Sequence, residues 1–129
     1  MTKQKVLVVE DEFLIADMVG DSLSSAGFDV HLANDGAKAL ERLEADAAEY
    51  DALVTDINLG PGANGWEVAH RARRRFPLIA VLYVTGDRAR EWVSVGVPNS
   101  LAIGKPFAPD YVVRMLNFLL STRDDDRAA

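Results

Sequence analysis

Cysteine is absent from this chain, and so are a surplus of basic residues and any long apolar run. The first absence excludes a disulfide framework, a thiolate metal site and a cysteine nucleophile together. The second argues against general nucleic-acid binding, because a net charge of -6 leaves little basic surface to replace phosphate counterions. Arg71, Arg73, Arg74 and Arg75 form a local exception, which on a helix reads as a solvated face. The apolar runs span only a handful of residues, far below the roughly 18 to 20 needed to cross a bilayer, so no membrane insertion is expected. Met1 to Lys5 lead straight into a short apolar run ended by acids, without the longer stretch and cleavage site of a signal peptide. A cytoplasmic location is the expectation.

What is present fits one globular domain. The 129 residues can build one core and are too few for two ordinary domains, and 49% hydrophobic with 26% charged residues is close to the globular average. No internal repeat or low-complexity linker interrupts the chain.

Apolar runs alternate with helical patterns along its length. Lys5 to Val9 lacks polar alternation, as a strand buried on both faces does. Leu14, Met18, Val19, Leu23 and Ala26 then recur at helical spacing until Gly27, a C-terminal stop. Phe28 to Leu32 alternates as a second strand, and Asn34, Asp35 and Gly36 supply cap and turn chemistry before a helix through Ala37, Leu40, Leu43 and Ala47. "ALVTDI" (Ala52 to Ile57) reads as a third strand. A glycine-rich loop, Gly60 to Gly65, leads into a third helix toward Phe76. Pro77 breaks it, and Leu78 to Val84 is a fourth strand. A short helix from Arg88 to Ser94, a fifth strand from Ser100 to Ile103, and a last helix from Pro109 complete the order. Residues 122–129 have nothing to bury and are expected to be a disordered tail.

Five strand and helix alternations predict an α/β fold with a parallel sheet covered on both faces. In such sheets functional residues gather beyond the carboxyl ends of the strands. Here the strands end at Glu10 and Asp11, at Asp56, at Thr85 and at Lys105. Three carboxylates on one edge repel unless a proton or a cation neutralises them, and Mg²⁺ is the natural solution because it takes hard oxygen ligands. Lys105 adds a mobile point charge and Thr85 a hydroxyl. The set describes a phosphoryl-transfer pocket with Asp56 as nucleophile. Taken singly, each residue has an ordinary explanation, a turn, a helix cap or a loop dipeptide; their convergence on one edge carries the reading.

"VLVVEDE" (Val6 to Glu12), "ALVTDINL" (Ala52 to Leu59), "YVTG" (Tyr83 to Gly86) and "GKPF" (Gly104 to Phe107) together resemble the receiver domain of bacterial two-component response regulators, of the single-domain chemotaxis type. The resemblance covers about residues 4–121. It implies a three-layer, doubly wound, flavodoxin-like fold, with five parallel strands in the order 2-1-3-4-5 and five helices. It implies that Asp56 accepts a phosphoryl group from a histidine kinase or phosphotransfer protein. Mg²⁺ would be bound by Asp11 and Asp56, by the Asn58 backbone carbonyl, and by Glu10 through water. Thr85 would hydrogen-bond the phosphoryl group, Lys105 would pair with it, and Pro106 would follow a cis peptide bond. Asn58 and Asp87 occupy positions that tune phosphoryl lifetime in the family. Such a protein is not a conventional enzyme, although family members assist their own phosphorylation and dephosphorylation.

Three positions depart from the family pattern. Ala102 stands where an aromatic is usual, Gly104 stands where an apolar strand residue is usual and is expected to loosen or bulge the fifth strand, and the loop from Asp56 to Gly65 is one residue longer. Trp66 reads as packing rather than docking, Trp92 as either buried or an interface anchor, and His31 and His70 carry no assigned role.

With no further domain after Thr122, the expected output is protein contacts or phosphate relay. A receiver-like adaptor that binds without phosphorylation is the alternative motivated by Ala102. A Mg²⁺-dependent phosphohydrolase of the haloacid dehalogenase type is disfavoured, because Asn58 stands where that chemistry needs a second acid.

Overall fold

The structure is a computed structural model that describes residues 3–128, with side chains described as far as Arg123. Its five strands are β1 (Lys5–Val9), β2 (Asp29–Ala33), β3 (Ala52–Asp56), β4 (Ala80–Thr85) and β5 (Ser100–Gly104). They form one sheet in the order β2-β1-β3-β4-β5, and every neighbouring pair is parallel. The helices are α1 (Phe13–Ser25), α2 (Gly36–Glu44), α3 (Gly65–Arg75), α4 (Trp92–Val95) and α5 (Pro109–Ala128). Strand order, direction and helix number agree with the sequence reading. Among the described residues no helix is long and apolar enough to cross a membrane.

The strand pleat divides the apolar side chains between two cores. Leu7, Leu53, Val81 and Tyr83 face α2 and α3, where they pack with Leu43, Val68 and Ala72. Val6, Val8, Val54 and Leu82 face α1 and α5, where they pack with Val19, Leu23, Val112 and Leu116. All residues of β3 and β4 are buried, which explains why their sequences lack polar alternation. Each fully buried Leu or Val contributes about 1.5–3 kcal/mol.

Local chemistry fixes the connections. Gly27 ends α1 with φ +98°, a backbone region that favours glycine. The Asp35 side chain accepts from the Lys38 amide at the start of α2, and Asn64 forms a capping box with Glu67 at the start of α3. Gly65 lies so close to the end of β3 that a Cβ there would fall 2.0 Å from the Asp56 carbonyl oxygen. The helix that follows the long loop is therefore packed directly against the strand end.

Several sequence expectations change. Strand β2 begins at Asp29 and reaches Ala33, while Phe28 is buried before it. The fourth helix shrinks to four residues, reached through a 3-10 turn at Ala89–Glu91, because neither segment buries a residue and Gly96 ends it. Gly104 stays in register opposite Thr85, and the Lys105 amide donates to the Thr85 carbonyl at 2.9 Å, so β5 carries no bulge there. Finally, α5 runs to Ala128, past residue 122 where a disordered tail was expected. Arg123 has something to bury against after all: its Nη1 donates to the Asp51 carbonyl at 3.1 Å and to Asp51 Oδ1 at 3.2 Å. Ala129, also assigned to that tail, lies outside the described residues.

Candidate functional site

The parallel sheet delivers β1, β3, β4 and β5 to one edge. Asp56 is the last residue of β3, Thr85 the last of β4, and Lys105 follows the last of β5. Glu10 follows β1 and is buried, as are Asp56 and Thr85, whereas Asp11 and Glu12 are exposed. Ligand oxygens of Glu10, Asp11, Glu12 and Asp56 all lie within 4.8 Å of one another.

Lys105 stands at the centre of this acidic group. Its Nζ is 3.0 Å from Asp56 Oδ2, 3.2 Å from Glu10 Oε2 and 3.3 Å from Glu12 Oε1. The Lys105–Pro106 peptide is cis. Asp56 Oδ1 is held from the other side, by the Ile57 amide at 2.6 Å and the Asn58 amide at 3.3 Å. Backbone donors thus fix the carboxylate while the lysine meets its second oxygen. Thr85 Oγ1 accepts from the Arg88 amide at 3.0 Å. Asn58 donates to Asp87 at 3.3 Å and accepts from Arg88 Nη1 at 3.1 Å.

The electrostatics reflect crowding of like charge. Burial pushes the Glu10 carboxyl up to about 7, and the neighbouring Asp56 charge adds to the rise; Lys105 and the Glu12 amide oppose it. Burial alone would lower Lys105. The hydrogen bond to Asp56 and the charges of Glu10 and Asp56 outweigh that effect and hold the ammonium above its ordinary value. One ammonium is thus shared among several carboxylates, and a hard divalent cation such as Mg²⁺ suits the donor set that remains.

The residues singled out in the sequence therefore converge, with two additions. Glu12 sits inside "VLVVEDE", but only the turn into α1 brings its carboxylate to Lys105. Arg88 carries no sequence signal beyond its place three residues after Thr85. Trp66 is buried with its ring centroid 4.7 Å from that of Tyr83, a packing role. Trp92 is half-buried, and its Nε1 donates to Ser100 Oγ at 2.9 Å. His70 Nε2 lies 2.8 Å from the Val95 carbonyl, and His31 Nδ1 lies 3.0 Å from the Tyr50 hydroxyl. Of the arginines read as a solvated face, Arg71 pairs with Glu44, Arg73 reaches the Pro98 carbonyl, and Arg75 reaches the Ala45 carbonyl.

Residues 6–117 match the family model described as response regulator receiver domain. The chain belongs to that family. It is 36% identical over 132 residues to the response regulator MprA of Mycobacterium ulcerans (strain Agy99), covering 97% of this chain and 54% of that protein. The chain thus spans about half the length of the curated relatives it matches. Among solved structures, a response regulator receiver protein from Sinorhizobium medicae WSM419 superposes with a TM-score of 0.89 at 36% identity, over 94% of this chain and 97% of that one. The receiver domain of the sensor histidine kinase PA1611 from Pseudomonas aeruginosa PAO1 shares the fold, with a TM-score of 0.78 at 23% identity over 93% of this chain and 99% of that one. That structure has a magnesium ion coordinated in its active-site cleft. Membership of this receiver family places the chain in two-component signalling.

Proposed function

We propose that this receiver, residues 4–121, is a phosphoacceptor on Asp56, phosphorylated by a histidine kinase or phosphotransfer protein and signalling through protein contacts. The observation that carries the reading is the Asp56 carboxylate itself: buried at a strand end, clamped by backbone amides on one oxygen and paired with Lys105 on the other. A carboxylate oxygen of Asp56 attacks phosphorus, and the bond from phosphorus to the donor imidazole nitrogen breaks. The electron pair stays on that nitrogen, and the product is an aspartyl phosphate. Lys105 meets the charge of the transferred group, and the Thr85 hydroxyl donates to one of its oxygens.

Asp11 and Asp56, the Asn58 backbone carbonyl and, through water, Glu10 would hold Mg²⁺. The close set of hard oxygen donors fits that ion. When bound, it supplies neutralisation of the negative charge gathered on the acids and the phosphoryl oxygens.

The protein is not a conventional enzyme in this reading, since the group that it modifies is its own. We place the reaction in the cytoplasm, without direct nucleic-acid binding or membrane insertion, in keeping with the absence of cysteine and the net charge of -6. The test is intact mass after incubation with Mg²⁺ and acetyl phosphate. A phosphoryl adduct is expected on the natural chain and none on Asp56→Asn; no adduct on the natural chain, or an undiminished one on the variant, contradicts the assignment.

A further inference from the structure

Arg88 touches three parts of the molecule at once. Its amide donates to Thr85 Oγ1 at 3.0 Å, its Nη1 donates to Asn58 Oδ1 at 3.1 Å, and its Nε pairs with Glu91. The Asn58 amide in turn lies 3.3 Å from Asp56 Oδ1. A continuous set of contacts therefore runs from Asp56 through Asn58 and Arg88 to Glu91, the last residue of the 3-10 turn before α4. Beyond it, Trp92 carries the connection to Ser100 on β5. On the same strand Ala102, where an aromatic is usual in the family, lies opposite Tyr83.

We propose that Arg88 is the positioning residue that couples phosphorylation of Asp56 to α4. In the unmodified protein its guanidinium ties Asn58 to Glu91. A phosphoryl group on Asp56 draws the guanidinium to itself, and Glu91 with α4 is released. The inference rests on the phosphoacceptor reading above.

Three physical points support it. An aspartyl phosphate brings roughly the charge and acceptor oxygens of other phosphorylated side chains, and arginine's planar fork is matched to such oxygens. By contrast the Arg88 and Glu91 pair is solvent-exposed, a weak tie that a stronger anion displaces. Thr85 adds a mechanical link. A hydroxyl has one hydrogen to donate and two lone pairs to accept with, so Thr85 can bond a phosphoryl oxygen without surrendering the Arg88 amide. Moving Thr85 moves Arg88. At the far end, α4 has four residues and buries none of them, so few contacts oppose a second arrangement.

The test uses backbone amide and tryptophan indole NMR signals, with beryllofluoride and Mg²⁺ as the phosphoryl probe. In the natural chain the probe is expected to shift Ile57, Asn58 and Gly86 at the site, and also the amides from Ala89 to Val95 with the Trp92 indole. In Arg88→Ala the site signals still shift, while the α4 shifts fall to less than half. Arg88→Lys, which keeps the charge without the fork, lies between. Glu91→Ala without the probe moves the Trp92 indole part-way toward its probe-bound position. Undiminished α4 shifts in Arg88→Ala, or a Trp92 indole unmoved in Glu91→Ala, overturn the coupling. A natural chain that responds at the site but not at α4 overturns it while leaving the phosphoacceptor reading intact. One that responds nowhere overturns both.

Discussion

The two ends of the sheet treat charge in opposite ways. At the amino end, Asp51 precedes β3 and is met by matched donors: the Lys5 amide at 2.9 Å from Oδ2 and Arg123 Nη1 at 3.2 Å from Oδ1. One acid faces one guanidinium and one amide. At the carboxyl end, Glu10, Glu12 and Asp56 share a single ammonium, with Asp11 beside them. The first arrangement joins α5 to the sheet; the second leaves negative charge that only a cation or a proton relieves. The contrast teaches where stability and chemistry lie in this fold. Polar groups at the amino end serve packing, and those at the carboxyl end are held in an unfavourable set, as the proposed phosphoryl transfer requires.

Substitutions at each end break that contrast in graded steps. The largest effect is expected from Lys105→Met in metal-free buffer near neutral pH. It strands buried Glu10 and Asp56 without their cation and lowers the unfolding free energy by about 3 kcal/mol in urea denaturation. A loss too small to measure would show that the acids need no ammonium.

Glu10→Gln should act with the opposite sign. The folded protein holds the Glu10 proton more tightly than the unfolded chain does, with a value raised from 4.5 to about 7. The stability from that proton is fully present below pH 4.5 and is lost as pH rises through about 7. Glutamine carries no charge at any pH, so above that range the variant should be more stable than the natural chain by about 2 kcal/mol. The advantage should shrink toward zero on acidification to 4.5. An advantage that is constant with pH would contradict the charge account.

Arg123→Ala tests the amino end and should cost least, about 1 kcal/mol, since the Asp51 side chain is 33% exposed and keeps the Lys5 amide. Its cost should be the same in the natural chain and in Lys105→Met, because the length of β3 separates the two ends. A cost that changes with Lys105 would mean that Arg123 senses the distant acids.

Much of this was legible in the sequence because it rests on short-range pattern. Runs such as Leu53-Val54-Thr55 and Val81-Leu82-Tyr83 reveal buried strands without any knowledge of their neighbours, and a parallel sheet then carries their terminal residues to one edge. What was not legible depends on contacts between distant parts of the chain. Arg123 looks like the start of a charged tail until Asp51, far away in sequence, is placed beside it. Glu12 looks like one more acid in a helix start until the turn into α1 aims it at Lys105. The fourth helix has four residues, of which Trp92 is half-buried and none is fully buried, so its short length is read only from the fold.

Mg²⁺-dependent stability compares the two ends most directly, measured as the urea midpoint with and without the ion near neutral pH in the natural chain, Asp56→Asn and Arg123→Ala. At a concentration about 100-fold above its Kd, Mg²⁺ should stabilise the natural chain by about 2.7 kcal/mol. Arg123→Ala should gain as much despite its lower starting stability, and Asp56→Asn should gain little. An equal gain in Asp56→Asn, or none in the natural chain, would contradict a carboxyl-end edge built around a divalent cation.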